Sequence, residues 1–412
     1  MTLLSLDEAR ARALSTVAPA PPVRLPLLEA LGTFLAEEVR ATRDLPGSDN
    51  SAMDGYALRS GRTKGATRDA PTRLQVTRTV YAGATAGGPL AEGEAARIFT
   101  GAPMPEGADC VVRQEATSAD GGAVLLFVEA SPGEHIRRRG EELHLGERVF
   151  SVGQRVEPAV AGMLASLGLD RAVVRPRPKV AVLTVGDELL PPGATALPHQ
   201  IYESNGVLLS ALAREAGAEV LGGERLSDED DVLRAGLERW LARADLVVTA
   251  GGASVGDRDR VKAVLRALGG TFEVDGVAIK PGKPVGVGTV AGKPVAVLPG
   301  NPGAATVAFD QLVRPMLLRL QGVAEERARH PVRLDTSWHK QAGLTWFLSA
   351  RLEPTPEGPP LARIRPQGAG QILQNVGMEG WVVLPRGKAD FAAGEVVDFE
   401  RLHGATYRPV EG

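Results

Sequence analysis

Between residues 179 and 320, three apolar runs, KVAVLTV (179–185), ADLVVTA (244–250) and KPVAVL (293–298), each break into a glycine-bearing loop. Segments with apolar residues at helical spacing alternate with them: Val207, Leu208, Ala211 and Leu212; Val232, Leu233, Leu237, Trp240 and Leu241; Val261, Val264, Leu265 and Leu268; and a last stretch over 303–320. A continuous apolar strand must be covered on both faces, and strands alternating with helices satisfy this in a parallel, doubly wound sheet. Ser204 is placed to cap the first helix, and Ser227 with Asp230 reads as a capping box for the second.

At 412 residues the chain exceeds what one core serves, so further domains are expected around this sheet. Leu6, Ala9, Ala13, Leu14 and Val17 predict an N-terminal helix, and Leu27, Leu31, Phe34 and Leu35 a second one. The segment 44–58 is too rich in turn formers for regular structure. Short β runs follow at 74–80, 96–100, 110–114 and 124–128, separated by Gly and Pro turns. Residues 137–169 read as mixed and partly helical, packing back on the N-terminal segment, which makes the β region an insertion. RPRPKV (175–180) reads as a stiff connector, and the chain after Pro331 returns to short β runs.

Hydrophobic residues at 43% and charged residues at 24% are ordinary for a globular protein. A net charge of −3 provides no basic field for nucleic acid or a membrane surface. Cys110 is the single cysteine, so an intramolecular disulfide is impossible and a reducing compartment is expected. Charged residues occupy the N-terminus and no apolar run approaches the ~20 residues a membrane helix needs, so a cytoplasmic protein is expected.

In doubly wound sheets, ligands bind beyond the carboxyl ends of the strands. Here those ends carry Gly186-Asp187-Glu188, the run from Gly251 and Gly252 through Ser254 to Asp257, and Pro299-Gly300-Asn301-Pro302 leading into a helix. Backbone amides of such turns and a helix N-terminus suit phosphates or oxyanions. Adjacent carboxylates suit Mg²⁺, which takes one or two of them plus phosphate oxygens and water. Lys280 and Lys283 on a proline-stiffened turn complete an anionic-ligand crevice. Each feature also has a plainer reading: Gly251-Gly252 as an ordinary turn, Asp257 as a helix cap, Asp187 and Glu188 as solvated acids, the lysines as a surface turn. Arg137-Arg138-Arg139 beside Glu141 and Glu142 reads equally as a salt-bridged face. The six histidines show no metal-ligand spacing, and no productive G-x-S-x-G, Walker A or dinucleotide fingerprint occurs.

Taken together and in order, DNSAMDGYAL (49–58), FTGAPMPEGAD (99–109), IRRRGEE (136–142), VGDEL (185–189), SNG (204–206), GGASVGDRD (251–259), IKPGKP (279–284) and LPGNP (298–302) resemble the molybdopterin molybdenumtransferase family, MoeA in bacteria and the gephyrin E domain in animals. The resemblance implies a multidomain α/β plus β protein with four domains. These are an elongated, helical and extended N-terminal domain (1–44 with 138–176), an inserted small β domain (45–137), a molybdopterin-binding α/β domain (177–328) and a C-terminal β-barrel-like domain (329–412). It implies a homodimer with the active site built across the subunit interface. It also implies a reaction in which adenylylated molybdopterin and molybdate give molybdenum cofactor and AMP, assisted by Mg²⁺. Contact with the molybdopterin adenylyltransferase is expected with it.

By the same resemblance Asp54, Thr100 and Glu188 are catalytic, and Asp54, Asp187 and Glu188 are metal ligands. Without it, Asp54 is plain turn chemistry. Arg137, Glu142, Asp187, Asp228, Gly251, Gly252, Ser254, Asp259, Lys280, Lys283, Pro299, Gly300, Asn301 and Pro302 bind substrate. The soft ligands of molybdenum are then the pterin's dithiolene sulfurs, so the protein needs no thiolate.

The chain departs from the pattern in places. Glu142 stands where the family has Asp, Ser227 stands for the first of paired Asp residues, and Gly276 falls where a lysine is common. Leu344 stands for an arginine and Ala369 for a serine. Losing that guanidinium and hydroxyl weakens anion binding by about 1 kcal/mol or more each if both are buried contacts. Two other readings therefore stand beside the transferase: a non-catalytic scaffold that binds molybdopterin, and a nucleotide pyrophosphatase on the same α/β domain.

Overall fold

The computed structural model describes residues 3–252, 260–365, 368, 370–402 and 406–410. It contains two compact units, one formed by Met1–Glu37, Val152–Ala165 and Leu169–Gly412, the other by Glu38–Ser151 and Ser166–Gly168.

The first unit holds the predicted sheet. Its strands are β1 (Lys179–Val185), β2 (Glu219–Leu226), β3 (Leu246–Ala250), β4 (Thr271–Asp275), β5 (Gly286–Val290) and β6 (Lys293–Leu298), in spatial order β2-β1-β3-β6-β5-β4. Alternate residues along each strand face opposite sides. Val180, Val182, Leu246, Val248, Ala296 and Leu298 pack on one side with Leu209 and Ala213 of α1 (Asn205–Glu215). Ala181, Leu183, Val247, Val295 and Val297 pack on the other with Leu233 and Leu237 of α2 (Asp230–Leu241) and Val261 and Leu265 of α3 (Arg260–Ala267). Helices thus cover both faces, as a doubly wound fold requires.

The sheet is not wholly parallel. β1, β2, β3 and β6 are, but β5 runs antiparallel to β6, and β4 to β5. The cause is the two-residue link Ala291-Gly292, whose φ values of 49° and 76° make the kind of tight turn that joins only antiparallel neighbours. The capping box predicted for α2 is not made either. Glu229 occupies the cap position without a side-chain bond, and the Ser227 hydroxyl instead accepts from the Glu229 N–H at 3.1 Å. Ser204 stands at the cap of α1, again without a side-chain bond.

The predicted first helix is present as Leu6–Ser15, closed by a capping box between Ser5 and Glu8 and burying Ala9 and Ala13. The predicted second helix is absent. Residues 27–33 make turns in which the N–H groups of Glu29 and Ala30 donate to Pro26. Gly32, at φ 79°, then ends the turn, and Phe34–Leu35 becomes a strand paired with Arg171–Arg175, which also pairs with Val23–Pro26. Apolar spacing alone did not distinguish a turn followed by a strand from a helix.

After β6 the chain enters Pro302–Ala308, passes through one π-helical turn, Phe309–Val313, and continues as Arg314–Leu320. C-terminal to it, Arg329–Leu334, Thr345–Glu353, Leu361–Ile364, Gly380–Leu384 and Val396–Arg401 close into a five-stranded barrel filled by Val332, Leu348, Val382 and Phe399.

The second unit is built on a six-stranded sheet in the order Cys110–Arg113, Gly55–Leu58, Glu94–Ile98, Thr72–Val80, Ala123–Leu126, Thr117–Asp120. The predicted β runs supply four of these strands. Among the described residues, no helix is long and apolar enough to cross a membrane.

Candidate functional site

In the first unit, the switch in strand order falls between the parallel neighbours β1 and β3, because the chain passes from β1 through α1 to β2 on one side and from β2 through α2 to β3 on the other. The loops that end these strands are pressed together. A Cβ on Gly251, where φ is 91°, would stand 2.2 Å from the Val185 carbonyl oxygen, and one on Gly252, where φ is 64°, 2.6 Å from Val261. Only glycine fits both the backbone and the space. A Cβ on Gly300 would lie 3.4 Å from the Gly251 Cα, so the end of β6 packs on the end of β3.

The neighbouring loop presents Asp187 and Glu188, both exposed. One Asp187 oxygen accepts from the Asp228 backbone N–H at 3.2 Å, tying the ends of β1 and β2 together, while the Asp228 carbonyl accepts from Arg260 at 2.5 Å. The Glu188 carboxylate turns back over Gly186, 2.7 Å from where a Cβ would stand there. At the end of β6, Pro299 is buried, whereas Gly300 and Asn301 are exposed. Asn301 caps the following helix without a side-chain bond, and Pro302 begins it. Its first amides are therefore not capped by that side chain, an arrangement that favours anions.

Asn205, the first residue of α1, was quoted within the SNG motif but not picked out as a site residue. Its amide donates to the Gly300 carbonyl at 2.6 Å, while its buried side-chain oxygen has no partner. A buried, orphaned acceptor on a side chain tied to the end of β6 is a signal that sequence alone did not provide. Beside these loops, a groove of about 540 Å³ runs along α1 and β2, lined by Thr184, Glu203, Ser210, Arg214 and Glu224.

Lys280 and Lys283 are both exposed. Ile279–Lys280 pairs in parallel with Thr345 and Trp346 of the barrel, and the Lys280 ammonium sits 4.1 Å from the centre of the Trp346 ring. Leu344 offers its carbonyl to the buried Lys340 ammonium at 2.8 Å. Ser254, Asp257, Asp259 and Ala369 lie outside the described residues.

The second unit carries the other group of candidates. Asp54, half-buried, precedes the strand Gly55–Leu58, and one of its oxygens accepts two bonds from Thr100, from the N–H and the hydroxyl, each 2.8 Å. These bonds, with the nearby charge of Arg97, hold its carboxyl below the usual range. Both bonds fall on the same oxygen, and among the described residues no hydrogen bond is made to the other. Arg137, exposed on a short strand paired with Asn50–Ser51, makes no ion pair among the described residues. Its neighbours do: Arg138 with Asp49 at 2.6 Å and Arg139 with Asp44 at 2.5 Å. The arginine run is thus largely a salt-bridged face, with Arg137 the exception. Glu142 is exposed, its N–H bonded to the Leu45 carbonyl.

Two carboxylates side by side at a strand end fit a Mg²⁺ that draws its remaining ligands from phosphate and water. Among the described residues, no three His, Cys, Asp or Glu groups converge as a complete metal cage.

Three family models match the chain. The MoeA N-terminal region (domain I and II) covers residues 4–168, a probable molybdopterin binding domain residues 181–319, and the MoeA C-terminal region (domain IV) residues 331–402. Molybdopterin molybdenumtransferase 2 of Mycobacterium tuberculosis is 42% identical over 314 residues, covering 75% of this chain and 78% of that protein. Molybdopterin molybdenumtransferase 1 of the same organism is 34% identical over 432 residues, covering 97% of this chain and 100% of its own. Among solved structures, the molybdopterin biosynthesis MoeA protein from Pyrococcus horikosii superposes with a TM-score of 0.82 at 31% identity, covering 98% of this chain and 100% of that one.

Proposed function

The chain belongs to the MoeA family, and from that premise we propose that it is a molybdopterin molybdenumtransferase, an enzyme that inserts molybdenum into molybdopterin. The observation that carries the reading within the molecule is the convergence of the β1, β3 and β6 ends around Gly251, with the orphaned oxygen of Asn205 beside them.

The substrate is the adenylylated pterin, and AMP is released as molybdate is consumed. Gly252, Gly300 and the Gly303 and Ala304 amides that follow Pro302 hold phosphate oxygens, with Gly251 allowing the close backbone approach. Asp187 and Glu188 hold Mg²⁺, which neutralises charge developing on those oxygens. Lys280 and Lys283 attract molybdate, a substrate oxyanion. Asp54, ionised and fixed by Thr100, orients the attacking oxygen with its free carboxylate oxygen. Arg137, Glu142, Asp228, Ser254, Asp259, Pro299 and Pro302 complete the substrate contacts. The working form is a cytoplasmic homodimer of four-domain subunits, supplied by the molybdopterin adenylyltransferase.

The test is AMP release from adenylylated molybdopterin with Mg²⁺, titrating molybdate and, separately, tungstate. Oxyanion-dependent release is expected, and the more effective oxyanion identifies the metal. Binding without release under every oxyanion would overturn the transferase in favour of a scaffold. Release that ignores the oxyanion would make the protein a pyrophosphatase.

A further inference from the structure

Arg97 has no role in the reading above, yet its surroundings are unusual for an arginine on a β surface. It lies on the strand Glu94–Ile98, directly opposite Tyr56 in the antiparallel register. Its guanidinium is stacked 5.0 Å from the Tyr56 ring centre and 4.9 Å from that of Phe99. Phe99 is itself stacked on Tyr81, with ring centres 5.0 Å apart and planes 8° from parallel. Arg97 forms no ion pair among the described residues. Its donors go elsewhere: one nitrogen to the Gly55 carbonyl at 3.1 Å and another to the Gln114 side-chain oxygen at 2.5 Å.

Those two acceptors flank Asp54. The Gln114 N–H donates to the Asp54 carbonyl at 3.1 Å, so a closed circuit runs from Asp54 through Gln114 and Arg97 back to Gly55. The Gly55 backbone lies close against its neighbouring strand, where a Cβ would meet the Val112 carbonyl oxygen at 2.1 Å. On the other side, Thr100 grips the carboxylate from a position three residues beyond Arg97. Arg97 and Thr100 therefore hold one residue from the backbone and the side chain respectively. Two further charged groups stand here: Glu115, which accepts from the Gln114 amide at 3.4 Å, and Arg113, opposite Gly55 in the register.

We infer that Arg97 is a positioning residue for the transfer reaction, holding the Gly55 carbonyl directly and the Asp54 carbonyl through Gln114, so that the free carboxylate oxygen of Asp54 points in one direction. The inference rests on Asp54 acting in the reaction. A lysine cannot replace it, since a point charge cannot stack between two rings while forking to two separate acceptors. Displacing a reacting group by about 1 Å costs on the order of 100-fold in rate, which sets the scale of the effect.

The experiment compares Arg97→Lys, Arg97→Gln, Gln114→Ala and Asp54→Asn in steady-state AMP release, with thermal unfolding as a control. For both Arg97 variants kcat falls about 10- to 100-fold, with KM for the adenylylated pterin unchanged. Gln114→Ala, which breaks the circuit without removing the charge, lowers kcat and likewise leaves KM unchanged. A kcat for Arg97→Gln within twofold of wild type, while Asp54→Asn is inactive, overturns the clamp and leaves Asp54 standing. An active Asp54→Asn removes the reading on which the clamp depends. A rise in KM with kcat retained makes Arg97 a binding residue and overturns positioning.

Discussion

Gly251 sits so close to Val185 that a single added methyl would stand 2.2 Å from the Val185 carbonyl oxygen, at a φ of 91° that L side chains rarely adopt. The ends of β1 and β3 are therefore held by the absence of a side chain. Gly251→Ala is expected to cost about 2 kcal/mol of stability and to abolish binding of the pterin nucleotide. Thermal unfolding and calorimetric titration check both. Wild-type affinity in a folded Gly251→Ala would remove the strand-end crevice as the binding site.

Asp54→Asn keeps the size of the side chain and removes its charge. The fold is expected to survive and AMP release to fall by at least 100-fold, on the scale of a lost acid or base function. The Thr100 N–H and hydroxyl depress the carboxyl below its ordinary value. Asp54 therefore stays ionised through neutral pH, and activity that depends on it should fail only below about pH 4, the ordinary carboxylate range. The stabilisation from these bonds follows the same sign: present above the unfolded pKa, lost as pH falls through the lower folded one. An acid limb near neutrality would mean that another group titrates.

Lys280→Gln leaves the strand pairing with Thr345 and Trp346 available and removes the ammonium. Molybdate affinity, read by titration in the absence of pterin, should fall about tenfold, corresponding to ~1.4 kcal/mol. The loss should shrink as salt screens the site. An unchanged affinity would move the oxyanion away from this turn.

Asp310 and Arg327 form a two-pronged pair at 2.7 Å on each prong, with the Trp381 indole N–H donating to the same carboxylate at 2.9 Å. Burial alone would raise the Asp310 carboxyl, but the charge and hydrogen bonds of Arg327 outweigh it and hold it low. Asp310→Asn removes the two-pronged pair but leaves Glu325 on the Arg327 guanidinium at 2.9 Å, and should cost ~1–3 kcal/mol. In the wild type this stability is full above pH ~4 and is lost as acid protonates Asp310. Urea unfolding of both proteins at pH 7 and pH 3 should show the gap closing in acid, and a constant gap would contradict the pairing.

The sequence was most legible where burial is two-sided. β1, β3 and β6 announced themselves as uninterrupted apolar runs because the sheet is covered on both faces, and the loops after them followed from that. β2, β4 and β5 were missed because glycines interrupt the runs EVLGGERL and GVGTV, and the Ala291-Gly292 turn that reverses the chain lacks the usual asparagine. Residues 27–35 misled because an apolar repeat over nine positions fits a turn and a strand as well as a helix. The strand-end placement of Asp187, Gly251 and Pro299 was readable in the same way. Asn205 and Arg97 were not, since an orphaned amide oxygen and a guanidinium closed into a circuit exist only once distant segments meet.

The single π-helical turn at Phe309–Val313 has a consequence for how this gene can vary in length. It interrupts the regular phase of a helix whose two ends are both committed, Pro302 to the strand-end loop and Met316, Leu317 and Leu320 to the core. Removing one residue would rotate everything beyond it by ~100°, turning those side chains out of the core and Arg314 away from Glu325. Homologous chains should therefore gain and lose residues freely at exposed links such as 191–200, and keep the count between Pro302 and Leu320 fixed even where every residue differs.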